Sequence, residues 1–162
     1  MQVEHTVSEE VTGLDLVEQQ IRIAAGKRLA EVPSPRAHSF EFRITCEDPA
    51  SGMIPSTGTV SRLRWPLGHG VRIESGINEG DVVTSDFDPM LAKLIVTAPT
   101  REAAIARSRR ALAELEIKGV ATPASLYSAV IALDEFSPAP PSTRWFEDVV
   151  LPKLADPEEA SS

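Results

Sequence analysis

His38-Ser39-Phe40-Glu41-Phe42-Arg43-Ile44-Thr45-Cys46 is the stretch from which the fold can be read. Apolar side chains take every second position, with Phe40, Phe42, Ile44 and Cys46 to one side and Glu41, Arg43 and Thr45 to the other. That is the period of a β-strand with one buried and one charged face. Four later runs, Gly58 to Trp65, Gly70 to Ser75, Asp81 to Ser85 and Leu91 to Thr97, are short, rich in Val, Ile, Thr and Trp, and parted by Gly, Pro, Asn and Asp. The gaps are too short for helical crossovers, so the runs are expected to form an antiparallel sheet.

Helices are expected on either side. Leu14, Val17, Ile21 and Ala24 share one helical face, which predicts a helix from about Gly13 to Ala25, opened by a Thr12/Asp15 capping box and closed by Gly26. Thr100 caps a second helix whose Ile105, Leu112 and Leu115 share a face, with Arg101, Arg107, Arg109 and Arg110 expected on a solvated face. Thr122-Pro123 opens a third helix, to about Leu133, expected to bury Leu126, Val130 and Leu133. The fold class is α+β, an antiparallel β-sheet with flanking helices, with no internal repeat. Proline clusters at Glu31-Val32-Pro33-Ser34-Pro35 and Ser137-Pro138-Ala139-Pro140-Pro141 read as linkers or loop edges.

Composition bounds the function. The 162 residues suit one domain, and 16 Lys and Arg against 24 Asp and Glu give a charge of −8. So acidic a chain argues against binding nucleic acid by neutralising phosphates. One cysteine, Cys46, and three scattered histidines exclude an internal disulfide and structural zinc, and no metal site is expected. Apolar runs such as Leu94-Ile95-Val96 are too short to span a membrane, and the chain opens without a leader pattern, so a cytoplasmic protein is expected.

Two places carry candidate chemistry. Gln2-Val3-Glu4-His5 sets an amide, a carboxylate and an imidazole side by side; alternation would aim Gln2 and Glu4 one way and Val3 and His5 the other. Glu4 could serve as a general base, and the bland reading is a frayed, solvated end. Arg43 is either half of a surface pair with Glu41 or a guanidinium fixed on a strand to stabilise a developing oxyanion. The Gly68-His69-Gly70 and Gly76-Ile77-Asn78-Glu79-Gly80 loops match no phosphate-binding template and read as hairpin turns. No nucleophile elbow is present. Ala92-Lys93-Leu94 lacks the flanks of a biotinylated lysine.

Residues Gln2 to Val17, Glu41-Phe42-Arg43-Ile44, Glu47-Asp48-Pro49 with Pro55-Ser56-Thr57-Gly58, Gly70-Val71-Arg72-Ile73-Glu74-Ser75, and Asp88-Pro89-Met90-Leu91-Ala92-Lys93-Leu94-Ile95 together resemble biotin carboxylases, in order and spacing, over about residues 2 to 147. These ATP-grasp enzymes carry the first half-reaction of acetyl-CoA, other acyl-CoA, pyruvate and urea carboxylases. The resemblance implies a residual end of the ATP-grasp domain at residues 1–12, the C-terminal domain at 13–147 and a flexible acidic tail at 148–162. It implies that Glu4 is the base on bicarbonate, that Gln2 and the Val3 backbone cradle bicarbonate, and that Arg43 contacts bicarbonate and stabilises the biotin enolate. Arg72 and Asp88 match positions linked to the dimer contact.

The implied cofactors are biotin, carried as a substrate, with ATP and Mg2+ in the full enzyme. The implied partners are a second copy, the biotin carboxyl carrier protein, a carboxyltransferase and the rest of the carboxylase, in a cytoplasmic setting such as fatty acid biosynthesis. Departures are Ala37, Ser39 and Phe40 before the arginine and Phe87, which lacks a hydroxyl, before Asp88. Met1 stands just after the family's Asn-x-Arg segment, so the metal carboxylates and nucleotide cradle are expected to be missing and the chain alone incompetent. The competing expectation is a non-catalytic interaction module on the same fold.

Overall fold

The period-two stretch forms strand β1 (His38–Thr45) of a computed structural model that describes residues 1–136 and 141–155. The centre of the sheet is β8 (Met90–Ala98), antiparallel to β1 on one side and to β6 (Val71–Ser75) on the other. Register sets Phe42 and Ile73 against Leu94, and Phe40 and Val71 against Val96. One face of the sheet is thus apolar. It packs on α3 (Arg101–Glu114) and α4 (Ala124–Ala132) through Ile105, Ala111, Leu112 and Ile131. Each such side chain contributes about 1.5–3 kcal/mol on leaving water.

The remaining expected strands do not join that sheet. β2 (Glu47–Asp48) pairs with β3 (Ile54–Pro55), β4 (Gly58–Thr59) with β7 (Val82–Val83), and β5 (Arg62–Arg64) with β9 (Glu116–Lys118). These ribbons enclose a second small core of Cys46, Val60, Val83, Leu91 and Val120. The two glycine loops are therefore not hairpin turns, because the strands that flank them pair elsewhere. Gly70, at φ +71°, is needed for a close approach: the Thr97 N–H donates to its carbonyl at 2.8 Å, and a Cβ there would strike the Thr97 carbonyl and the Arg107 guanidinium.

The first helical stretch is two helices, α1 (His5–Thr12) and α2 (Leu16–Ala24). Thr12 ends α1, and Gly13, at φ +74°, turns the chain. Asp15 is the N-cap of α2, accepting from the Glu18 N–H at 2.7 Å, and Gly26 closes it as expected. Of the expected helical face, Val17, Ile21 and Ala24 are exposed and Leu14, ahead of α2, is half-buried. Thr100 caps α3 as read; Arg109 and Arg110 are exposed as expected and Arg101 and Arg107 half-buried, and all four also bind backbone carbonyls. Arg101 donates to the Phe136 carbonyl at 2.7 Å, Arg109 to that of Ile131 at 2.8 Å, Arg110 to that of Leu67 at 3.2 Å, and Arg107 to that of Thr97. They tie helix and loops together. In α4 the buried side chain is Ile131; Leu126 instead lines an apolar cavity of about 830 Å3 with Pro49, Met53, Phe146 and Leu151.

Residues 27–36 form neither helix nor strand, as the first proline cluster suggested, and the Arg36 N–H donates to the Val11 carbonyl at 3.0 Å. The second cluster falls mostly outside the described residues. Within the expected acidic tail, a π-helical turn at Phe146–Val150 runs into α5 (Leu151–Ala155), with Val150 buried. No described helix is long and apolar enough to cross a membrane.

Candidate active site

The charged face of the sheet meets the N-terminal residues. The Thr97 N–H donates to the Gly70 carbonyl and the Gly76 N–H to that of Leu91, so odd-numbered residues of β8 bond toward β6 and even-numbered ones toward β1. Arg43 and Lys93, directly opposite each other, therefore form the closer type of antiparallel pair, with Cα atoms about 4.5 Å apart. Two cations so placed repel unless carboxylates intervene. Three do. Arg43 Nη2 donates to Glu4 Oε2 at 2.8 Å, and its Nε lies 3.5 Å from Glu41 Oε1. Lys93, only 8% exposed, pairs with Glu74, its neighbour in register on β6.

Both cations also reach the N-terminal tetrapeptide, because Lys93 Nζ donates to the Val3 carbonyl at 3.4 Å. Residues 2–5 do not alternate as a strand or fray; Glu4 precedes α1, which lies across the polar face. Thr6 is wholly buried, its hydroxyl donating to Glu41. Glu9 accepts from the Leu16 N–H and from Arg72, each at 2.9 Å, and Glu10 from Arg72 at 3.4 Å and from the Thr97 hydroxyl at 3.3 Å. Arg72 also pairs with Glu74. Burial alone would disfavour the charged form of Glu74, but hydrogen bonds from Lys93 and Arg72 outweigh it and hold the carboxyl below the ordinary glutamate range. Burial likewise opposes the Arg72 charge, and its carboxylate partners raise its pKa further.

Gln2, Glu4 and His5 line an open recess of about 280 Å3 with Ser8, Leu16 and Gln20. A guanidinium held on a strand is the kind of group that can steady an oxyanion; Arg43 is paired at 2.8 Å with Glu4, which also lines the recess. The structure brings Arg43 to Glu4, Lys93 to the Val3 carbonyl, and Gln2 and Glu4 to one recess; of the two readings of Arg43 it shows the pair with Glu41, to which Glu4 adds a second partner. Arg72 belongs to the adjoining network. Asp88 stands apart, exposed in the turn before β8, its Oδ1 accepting from the Met90 N–H at 2.9 Å.

Sequence reasoning missed Thr6, Glu74, Lys93 and Tyr127. Lys93 carried a signal, a lone cation inside the apolar run Leu91–Val96. Among the described residues, His5, Glu9 and Glu74 lie close enough to share a cation. Glu9 and Glu74 are already bound by Arg72, Lys93 and the Leu16 N–H, so this set does not fit a metal or its nucleotide.

Comparison with known proteins agrees with this geometry. Residues 41–148 match the biotin carboxylase C-terminal domain, and residues 1–32 match the ATP binding domain of the carbamoyl-phosphate synthase L chain. The chain is 46% identical over 153 residues to the biotin-dependent acyl-coenzyme A carboxylase alpha3 subunit of Mycobacterium leprae, covering 91% of this chain and 26% of that protein. It is 48% identical over 135 residues to the biotin carboxylase of Halalkalibacterium halodurans, covering 81% and 29%. The biotin carboxylase domain dimer of Hydrogenobacter thermophilus 2-oxoglutarate carboxylase, solved in complex with MgADP, ADP and bicarbonate, superposes with a TM-score of 0.89 at 41% identity, over 96% of this chain and 35% of that one. The chain therefore spans about a quarter to a third of the length of these relatives. With the sheet, the polar face and more than half of its residues matched, the chain belongs to the biotin carboxylase C-terminal domain family.

Proposed function

We propose that this chain supplies the biotin and bicarbonate end of an active site that carboxylates biotin with bicarbonate, driven by ATP. The observation that carries the reading is the contact between Arg43 and Glu4, made across 39 residues and held by a sheet whose next cation, Lys93, binds the Val3 carbonyl. In this reading Glu4 takes the proton of bicarbonate, Gln2 and the Val3 N–H cradle the anion, and Arg43 steadies the negative charge that appears on the ureido oxygen of biotin. A cation already fixed on a strand does this without reorganising as the charge develops. Biotin reaches the site on a carrier protein or domain. ATP and Mg2+ are assigned to the rest of the enzyme, since His5, Glu9 and Glu74, the set close enough to share a cation among the described residues, do not fit them, and no step here passes through them.

The match of residues 1–32 to an ATP binding domain supports assigning the segment before the Pro33–Pro35 linker, including the 1–12 stretch, to the end of the ATP-grasp domain. The exposed stripe of α2 then packs on the remainder of that domain. A second copy is proposed to dock at Asp88, beside which Phe87 is 86% exposed. Arg72, engaged by three carboxylates of its own chain, would act on the dimer by holding α1 to the sheet. The final acceptor is read as an acyl-CoA, acetyl-CoA in a fatty acid setting being one case, reached through a carboxyltransferase.

The test places this chain in the matched stretch of the Halalkalibacterium biotin carboxylase and measures bicarbonate-dependent ATP hydrolysis with free biotin. The chimera is expected to be active, and its Arg43→Ala variant to lose about 100-fold or more in kcat, the scale of a lost oxyanion donor. A folded but inactive chimera, or an indifferent Arg43→Ala, would overturn the reading.

A further inference from the structure

The register that brings Arg43 and Lys93 together turns the backbone N–H and C=O of Arg43 the other way, to the outer edge of β1. Edge carbonyls have no strand partner. This one has a donor from another element: the Tyr127 hydroxyl of α4 reaches it at 2.7 Å, across 84 residues, while the Tyr127 ring packs on Phe42 with centroids 5.5 Å apart. The place matters because the β1–β8 ladder shifts directly after it. Ile44 faces Ala92 but Thr45 faces Met90, which leaves Leu91 unmatched. Such an irregularity bends a strand and interrupts its pairing. The backbone of Arg43 is therefore supported from outside the sheet just where support from β8 lapses. Burial, followed by the nearby Glu47 charge, keeps the Tyr127 phenol above its ordinary range and so in its donor form.

We propose that Tyr127 is a positioning residue for Arg43, its hydroxyl holding the outer carbonyl so that the guanidinium meets Glu4 from a fixed direction. The kinetic half of this rests on the role given to Arg43 above; the structural half does not. Tyr127 touches no substrate in this account, and nothing is transferred to it.

Tyr127→Phe keeps the ring and removes the donor. In the chimera it is expected to lower kcat about tenfold while the KM values for ATP and bicarbonate stay within about twofold, the effect of one lost hydrogen bond to a backbone carbonyl. In this chain by itself, the Arg43 carbonyl carbon and the Arg43 Nε–H resonances should both move. Unchanged Arg43 resonances, or an unchanged kcat, overturn the proposal, and a loss of thermal stability alone marks Tyr127 as merely structural. Tyr127 is the only tyrosine in the sequence, so 3-fluorotyrosine supplied during growth changes this donor alone without changing the fold. Its stronger donor should shift the Arg43 carbonyl opposite to Tyr127→Phe; no shift also overturns the proposal. An inactive wild-type chimera defeats the proposed function instead, and the resonances then decide the positioning on their own.

Discussion

The two faces of the central sheet are buried by opposite means. On one, Phe42, Ile44, Leu94, Val96 and Ile73 meet α3 and α4 through contacts that depend on volume and shape. On the other, Glu41, Arg43, Lys93, Arg72 and Glu74 meet α1 through contacts in which each charge has named partners. Burial is uneven on the polar side, where Ile95 is as inaccessible as Leu94 on the apolar one while the Arg43 side chain is half exposed. What separates them is the consequence of loss. A missing methyl leaves a void that neighbours partly fill, whereas a missing charge leaves its partner without compensation.

The largest expected effect is therefore on the apolar face. Leu94 has no accessible surface and lies between Phe42 and Ile73 in register. Leu94→Ala should cost about 3 kcal/mol of unfolding free energy. Denaturant unfolding measures it, and a cost below about 1 kcal/mol would mean that this face collapses freely around a void.

A smaller and pH-dependent effect is expected across the sheet. Lys93→Met keeps the length of the side chain but strips Glu74 of one of its two cations, a loss of about 1–3 kcal/mol at neutral pH. The sign with pH follows from Glu74. Its folded pKa lies below its unfolded one, so it contributes stability at neutral pH that disappears as pH falls through the lowered value. Lys93→Met shrinks that lowering. The variant should lose less stability than the parent between pH 7 and about pH 3, and the gap between them should narrow with acid. A gap of constant size would show that Lys93 acts through packing of its stem and not through Glu74.

The same contrast explains what the sequence made legible. Period two along residues 38–46 identified β1 and both of its faces, because a half-buried strand writes its burial locally. The partners of Arg43 are not local. Its meeting with Lys93 and Glu74 depends on registers between strands up to some fifty residues apart, and its contact with Glu4 was not expected at all, since the family resemblance gave each residue a role toward bicarbonate but no pairing between them. The acceptors of the α3 arginines were not legible for a related reason: they are backbone carbonyls, which every residue has, so no pattern marks them. Tyr127 was hidden in the same way, as one more apolar position of a short helix.

In α2 the sequence pattern and the burial disagree, and it gives the smallest expected effect on stability. Its residues Val17, Ile21 and Ala24 have helical spacing, yet Ile21 is 66% exposed and the buried side chain is Gln19, whose Oε1 accepts from the Ala30 N–H at 3.3 Å. An amphipathic stripe normally marks a buried face. Here α2 lies within the stretch matched to an ATP binding domain, and we read the stripe as directed to that domain. Ile21→Ser should then leave the unfolding free energy of this chain within about 0.5 kcal/mol, because the two residues have similar helix propensity and little burial is lost. In the chimera the same change removes an apolar side chain from a contact worth about 1.5–3 kcal/mol, so its melting temperature should fall while that of the chain alone does not. Equal behaviour in both settings would place the stripe in water, and the association of α2 with the ATP-grasp domain would be lost with it.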